Sequence, residues 1–311
     1  MPTKRAPLVA LMGPTAVGKT EVSLELAERL DGEIVSADSR LVYRGMDIGT
    51  AKPSPKDLAR VPHHLIDIVE PDQTFSLGAY RAAAMAAIHD IHLRGRLPLL
   101  VGGTGQYLTA VLQGWRPPAV PPNQAIRRRL QAIADAECHQ ALHARLAGVD
   151  PERARAIDSR NVRRVIRALE IYLSTGTRPS LARNKIRPPF EIFRAGLQRP
   201  RPELYQMIDQ RLDEMLDTGW LDEVSALLER GIGVDAPSMS AIGYRQLAHV
   251  LQGELTLEDA KRQIRSASRQ FVRRQANWFK PDDPQIVWFD MHPGVIAEME
   301  ARVRLWLGGE G

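Results

Sequence analysis

Residues 8–20 read LVALMGPTAVGKT, and this stretch decides the fold of the chain. The apolar run from Leu8 to Met12 has the length of a buried strand. Gly13, Pro14, Thr15, Ala16, Val17, Gly18, Lys19 and Thr20 then match G-x-x-x-x-G-K-[ST]. A helical pattern continues through Leu30. Strand, glycine loop and helix in this order are what phosphate binding requires. Glycines let successive backbone N–H groups turn inward around phosphate oxygens, and the helix N-terminus adds its dipole. In such a loop Lys19 would bridge phosphates and the Thr20 hydroxyl would hold Mg2+. The loop alone does not say which phosphate compound it takes.

Working outward, a second short strand is expected at 34–37 (IVSA), ending at Asp38. A third, 64–68 (HLIDI), precedes a helical segment from Leu77 to Leu93, and a fourth, 97–101 (LPLLV), opens into GGTGQY and another helix. Strands alternating with helices predict an α/β fold: a P-loop NTPase-like parallel sheet with helices on both faces. Pro117, Pro118, Pro121 and Pro122 on one side, and Pro188 and Pro189 on the other, bracket an Arg-rich helical stretch. We read it as a helical insertion, 116–191, in a core made of 1–115 and 192–311. The segment 192–197 (IFRAGL) returns to the sheet, and helices dominate to the end.

The chain has 311 residues, enough for about two domains. Its single cysteine, Cys138, excludes a disulfide framework or a thiolate-rich zinc site and points to a reducing compartment. No apolar run approaches the ~20 residues that span a bilayer. Lys4 and Arg5 before Ala6–Met12 mimic a signal peptide, but no small-residue cleavage site follows. A cytoplasmic protein without membrane contact is expected.

The net charge is +5, unevenly placed. Residues 116–167 hold eleven arginines and five acids, and 261–280 hold seven basic residues and no acid. The remainder is acidic, so two basic blocks are set apart as a polyanion-binding surface would be. Solvated helix faces are the plainer alternative. Arg262, Arg265, Arg269 and Arg273 share one helical face, with Ile264, Phe271 and Trp278 near the opposite, packing face.

Two features depart from a nucleotide hydrolase. Strand 97–101 ends in Gly102-Gly103, with no Asp where a hydrolase keeps its second Mg2+ ligand. Asp38 instead stands at a strand end near the loop, where it is either a catalytic carboxylate or a helix N-cap. His63-His64 is a poor metal pair, because neighbouring residues on a strand point to opposite faces.

Taken together, ADSRLVYRGMDIGTAKP (37–53), PHHLIDIVEP (62–71), LLVGGTGQYL (99–108), NVRRVIRALEIY (161–172), SAIGYRQL (240–247) and RRQANWF (273–279) resemble the tRNA dimethylallyltransferase (tRNA isopentenyltransferase) family. The resemblance covers nearly the whole chain in the same order. It implies transfer of a dimethylallyl group from dimethylallyl diphosphate to N6 of the adenosine 3′ of the anticodon, with Mg2+ as cofactor and a P-loop gripping a diphosphate. By the same resemblance Asp38 is the general base, and Thr15, Lys19 and Thr20 hold the diphosphate and Mg2+. Arg211 falls where the family has an arginine on the diphosphate, completing a catalytic set of Asp38, Thr15 and Arg211. The segments matched to tRNA contact are Asp38, Ser39, Arg40 and Leu41; Thr104; Arg163, Arg164, Val165, Ile166 and Arg167. Further along they are Ser240, Ala241, Ile242, Gly243, Tyr244 and Arg245, then Arg274, Gln275 and Lys280. The implied partner is the anticodon stem-loop of tRNA, and a monomer is expected. One position departs: the family commonly has another Arg four residues before Arg211, where this chain has Met207.

Two other readings compete. A small-molecule kinase using ATP, with Asp38 gripping a hydroxyl acceptor, explains the loop but leaves the basic blocks idle. A non-catalytic RNA-binding P-loop protein leaves Asp38 and Arg211 unexplained.

Overall fold

The computed structural model describes residues 5–116, 118, 120–181 and 184–309. These fall into two compact units, one drawn from Met1–Leu112 and Pro188–Gly311, the other from Gln113–Arg187. The strands are β1 (Ala6–Met12), β2 (Gly32–Ser36), β3 (His63–His64), β4 (Leu97–Gly102), β5 (Trp115–Arg116), β6 (Asn184–Lys185), β7 (Phe190–Gln198) and β8 (Val287–Asp290). The first helices are α1 (Lys19–Arg29), α2 (Pro55–Arg60), α3 (Leu77–Leu93), α4 (Gly105–Leu112), α5 (Gln124–Glu137), α6 (His139–Val149) and α7 (Pro151–Arg155). They are followed by α8 (Val162–Thr175), α9 (Arg201–Asp217), α10 (Trp220–Glu229), α11 (Tyr244–Leu251), α12 (Leu257–Ala276) and α13 (Val295–Gly308).

In the larger unit six strands form one sheet in the order β3-β2-β4-β1-β7-β8, and every pairing is parallel. Its central strands are continuous apolar runs because both faces are covered. Val9, Leu11, Leu99 and Leu197 pack on one face with Leu204 and Ile208 of α9 and Val303 of α13. Leu8, Ala10, Met12 and Leu100 pack on the other with Tyr80 and Ile88 of α3 and Leu108 of α4. The period-two alternation along each strand thus builds two cores from one sheet.

Some expectations needed correction. The third strand is cut to His63–His64, because Leu65 and Asp67 adopt left-handed backbone angles (φ 66° and 54°) that end the extended run. β7 starts at Phe190, opposite Ala6, so the sheet takes in residues placed in the insertion. β8 was missed; VWFD is only four residues long and sits between a proline-bearing turn and α13.

The smaller unit packs α5, α6, α7 and α8 around Leu130, Leu142, Leu146, Val165 and Leu169. A two-stranded antiparallel pair, β5 with β6, belongs to it, so Trp115 sits here and not in the core. Of the bracketing prolines, Pro117 lies outside the described residues. Among the described residues no helix is long and apolar enough to cross a membrane.

Candidate active site

In a parallel sheet all strands end on the same side, and ligands bind in the crevice beyond those carboxyl ends. Three adjacent strand ends carry the sequence-predicted residues. β1 runs into the loop Gly13–Gly18, which leads into α1. Gly18 caps α1 with φ 105° and supplies no side-chain cap, so the first N–H groups of the helix keep no side-chain acceptor. That is an anion site. A Cβ at Gly18 would stand 3.0 Å from Cε of Met291, and at φ 105° a side chain would be strained whatever the space. The Lys19 amine donates to the carbonyls of Gly13 (3.0 Å) and Pro14 (2.7 Å), which fold it under the loop. Burial lowers its pKa from 10.5 to about 8; nearby Asp38 opposes the shift, and Arg211 adds to it.

β2 ends at Ser36, and Asp38 follows in a tight turn. Its Oδ1 accepts from Arg40 N at 2.8 Å, so Asp38 orders its own turn and caps no helix. The turn is fastened to the end of β4. Thr104 N donates to Ala37 O (3.2 Å), and Ser39 N donates to Thr104 Oγ1 (3.1 Å). Glycines make this closeness possible: a Cβ at Gly102 would be 2.2 Å from Ala37 O, and one at Gly103 would be 2.4 Å from Nε2 of Gln275. At Gly102 the obstacle is backbone, so an aspartate at the end of β4 would have to displace the Ala37 turn. Beneath the turn, Tyr80 and Tyr107 stack with ring centroids 3.6 Å apart, and Tyr80 donates to Ser36 O at 3.2 Å. Burial pushes both phenols well up, with Asp38 adding to the effect, so both stay neutral.

Arg211 of α9 is the third element. It makes no hydrogen bond or ion pair with any described residue, and burial lowers its pKa, with Glu214 opposing. It is close enough to Lys19 to lower that amine too, so two cations and one carboxylate meet beside an anion cradle. Met207, one turn away, packs against the apolar cluster of Leu204 and Ile208. Core packing thus occupies the position where the resemblance implied a second cation. Sequence reasoning missed Arg199, which closes β7 with Nε 3.5 Å from Val17 O of the loop. Its place at the end of the strand next to β1 was a usable signal.

Other expected contact residues separate by exposure. Arg163, Arg164, Arg274 and Lys280 are exposed, and so are Ser240 and Arg245. Arg40 donates to Ser240 Oγ at 3.0 Å, holding the two segments together, and Leu41 and Ile242 are half-buried. Val165 and Ile166 lie in the helical unit's core, and Ala241 and Gly243 are buried, so these four cannot present side chains to RNA. Arg167 pairs with Glu170 at 2.6 Å. Tyr244 is 0% exposed and donates to Glu223 at 2.6 Å. That carboxylate also accepts from Asp47 N, Ile48 N and Gly49 N, fixing the loop after Asp38's turn. Gln275 is 3% exposed and faces the P-loop.

The basic stripe on α12 also reads differently in three dimensions. Arg265 pairs with Asp213 at 3.2 Å, and Arg269 with Asp209 at 2.5 Å, both on α9, while Arg262 pairs with Asp259. Arg269 lies 5.2 Å from the centre of the Tyr205 ring. Arg265 and Arg269 thus join two helices, and Arg262 pairs within its own, instead of forming a free row. Phe271 is only partly buried and Trp278 is 42% exposed; the buried face is Ala260, Ile264, Val272 and Gln275. The 3.6-residue period was right, but acids on another helix were invisible to it. His63 and His64 bond to Val61 O and Glu33, and among the described residues no cluster of His, Cys, Asp or Glu could hold a metal by itself.

Comparison with known proteins then bears on the site. The sequence pattern of the family described as IPP transferase matches residues 41–282. The tRNA dimethylallyltransferase of Roseiflexus sp. (strain RS-1) is 53% identical over 88% of this chain and 90% of its own length. That of Thermomicrobium roseum is 48% identical over 96% and 91%. The solved tRNA isopentenylpyrophosphate transferase of Bacillus halodurans superposes with a TM-score of 0.72 at 41% identity, covering 98% of this chain and 97% of that one. A eukaryotic dimethylallyltransferase acting on tRNA superposes with a TM-score of 0.82 at 25% identity, covering 98% and 80%. Relatives about half identical nearly end to end, on the same fold, leave one conclusion: this chain belongs to the tRNA dimethylallyltransferase family of prenyltransferases.

Proposed function

We propose that the chain transfers a dimethylallyl group from dimethylallyl diphosphate to N6 of the adenosine 3′ of the anticodon in tRNA, releasing diphosphate. One observation carries this reading most. An anion cradle with Lys19 and an unpaired Arg211 meets the carboxylate of Asp38, while a hydrolase acid at the end of β4 would have to displace the Ala37 turn.

The chemistry follows from those groups. An exocyclic adenine amine is a poor nucleophile, so it needs a positioned base and a strongly activated electrophile. Asp38 accepts the N6 proton as the N–C bond forms at the allylic carbon. The C–O bond to the diphosphate breaks, and its electron pair leaves with the diphosphate. The negative charge growing on that leaving group meets the loop N–H groups, Lys19 and Arg211, fixed before the reaction begins. Mg2+ fits the donor set here. Thr20 is exposed at the start of α1, and a lone hydroxyl is the sparse protein set of an ion held mainly by substrate phosphates. Thr20 would hold it, and it would supply further charge neutralisation on the diphosphate. Before reaction the adenine leaves its stack to reach the site. Exposed Arg163, Arg164, Arg274 and Lys280 are suited to backbone phosphates of the tRNA. Cytoplasmic location and a monomeric state remain part of the proposal.

Labelled substrates test it. The prenyl label of dimethylallyl diphosphate should be retained on unmodified tRNA, with no transfer of phosphate from ATP to a small alcohol. Phosphate transfer would install the kinase reading, and binding of RNA without either reaction would install the non-catalytic one.

A further inference from the structure

The side chain of Gln275 joins the two halves of the reaction centre. It projects from the last turn of α12, a helix that otherwise buries only Ala260, Ile264 and Val272. Its Oε1 accepts from Thr15 N at 2.9 Å, and its Nε2 donates to Gly103 O at 3.0 Å. A primary amide places one acceptor and one donor side by side, and the two partners fix which end is which, since a flipped amide would set like against like. At 3% exposure neither bond can be replaced by water at low cost. Gly103 is the approach that makes the tie possible, because a Cβ there would be 2.4 Å from Nε2.

The partners matter more than the bonds. Thr15 lies in the anion cradle. Gly103 is followed by Thr104, which is hydrogen-bonded to Ala37 and Ser39 on either side of Asp38. Cradle and base sit at the ends of different strands, β1 and β2, with β4 between them. Beyond the last ladder bond, this amide ties Thr15 of the cradle to the end of β4, and Thr104 ties that end to the turn of Asp38.

We propose that Gln275 is a positioning residue for prenyl transfer, holding Thr15 of the diphosphate cradle at a fixed distance from the turn that carries Asp38. It touches neither substrate. Its loss therefore leaves both substrates bound while moving the allylic carbon and the base out of register, and misplacements of about 1 Å cost about a hundredfold in rate. The competing role for Gln275, direct contact with RNA, gives the opposite pattern of constants.

The test uses the full chain with Gln275→Met, which keeps the length and removes both hydrogen bonds, and Gly103→Ala, which displaces the amide from the other side. Single-turnover prenylation, tRNA affinity and inorganic pyrophosphate affinity are measured for each. Expected is a loss of about ten- to a hundredfold in the transfer rate for either variant, with both affinities within about threefold of wild type. The double variant should be no slower than the slower single one, because both break the same tie. An unchanged transfer rate overturns the inference, and so does a loss that resides wholly in tRNA affinity. Failure of both variants to fold also overturns it, since the tie would then serve stability. The inference rests on the prenyl-transfer reading, and wild type separates the two: inactive wild type ends both, whereas a fully active Gln275→Met ends this one alone.

Discussion

Raising the pH from 7 to 9 should weaken binding of inorganic pyrophosphate through one group, Lys19. Its amine is folded beneath the loop onto Gly13 O and Pro14 O, and burial brings its pKa to about 8 in the free protein. A bound diphosphate supplies the counter-charge that burial removed, so in the complex the amine returns to about its ordinary 10.4 or above. Linkage then gives the size: affinity is nearly flat below pH 8 and falls towards tenfold per unit above it, about tenfold weaker at pH 9 than at pH 7. Titration calorimetry with pyrophosphate and magnesium measures it. The ligand's own protonation cancels when wild type is compared at each pH with Lys19→Arg, whose guanidinium stays charged throughout. Wild type should lose about tenfold relative to that variant. Parallel curves for the two proteins would refute the argument. Folding responds to the same shift in the opposite sense. A charged amine whose pKa is lowered by folding is a cost below pH 8, so this group's contribution to the stability of the free protein improves between about 8 and 10.5.

Asp38→Asn should lower single-turnover prenylation by about two to four orders of magnitude, with tRNA and pyrophosphate affinities nearly unchanged; near-normal turnover would remove the base assignment. Arg265→Ala with Arg269→Ala should destabilise the α9–α12 packing by about 0.5–2 kcal/mol in urea unfolding and leave the salt dependence of tRNA binding as it was. By contrast, Arg163→Ala with Arg164→Ala should flatten that dependence by about one unit for each phosphate no longer neutralised, with little change in stability. In the helical unit, burial alone would raise the Glu170 carboxyl, but Arg127, Arg167 and Asn123 N hold it below its ordinary value. Its contribution is therefore present at neutral pH and is lost as pH falls below about 4.5. Glu170→Gln should cost about 2 kcal/mol or more at pH 7 and flatten that acid limb in pH-dependent unfolding.

Much of this was legible in the sequence because it is local. The run at 8–12, the glycine loop and the GG ending of 97–101 each carry their own geometry, and together they put the cradle at the carboxyl end of a parallel sheet. Helical period correctly grouped Arg265 with Arg269 as well. What it could not show was Asp209 and Asp213 on another helix, which turn that row inward. The partners of Tyr244 and Gln275 were out of view for a related reason. A motif marks residues that matter near RNA without saying whether they touch it. Both are buried, Tyr244 bonded to Glu223 and Gln275 to Thr15 and Gly103, contacts that only the folded chain displays. The shortened β3 went unseen because left-handed angles at Leu65 and Asp67 lack the glycine that usually announces them.

A cradle and a carboxylate set this way move a prenyl group and not a phosphoryl group. Incubating the protein with magnesium, dimethylallyl diphosphate and unmodified tRNA, then reading the digested nucleosides by mass spectrometry, tests it most directly. Expected is one five-carbon allyl unit on N6 of the adenosine 3′ of the anticodon, with one pyrophosphate released for each. Unaltered adenosine there, or orthophosphate released from ATP in its place, would contradict it.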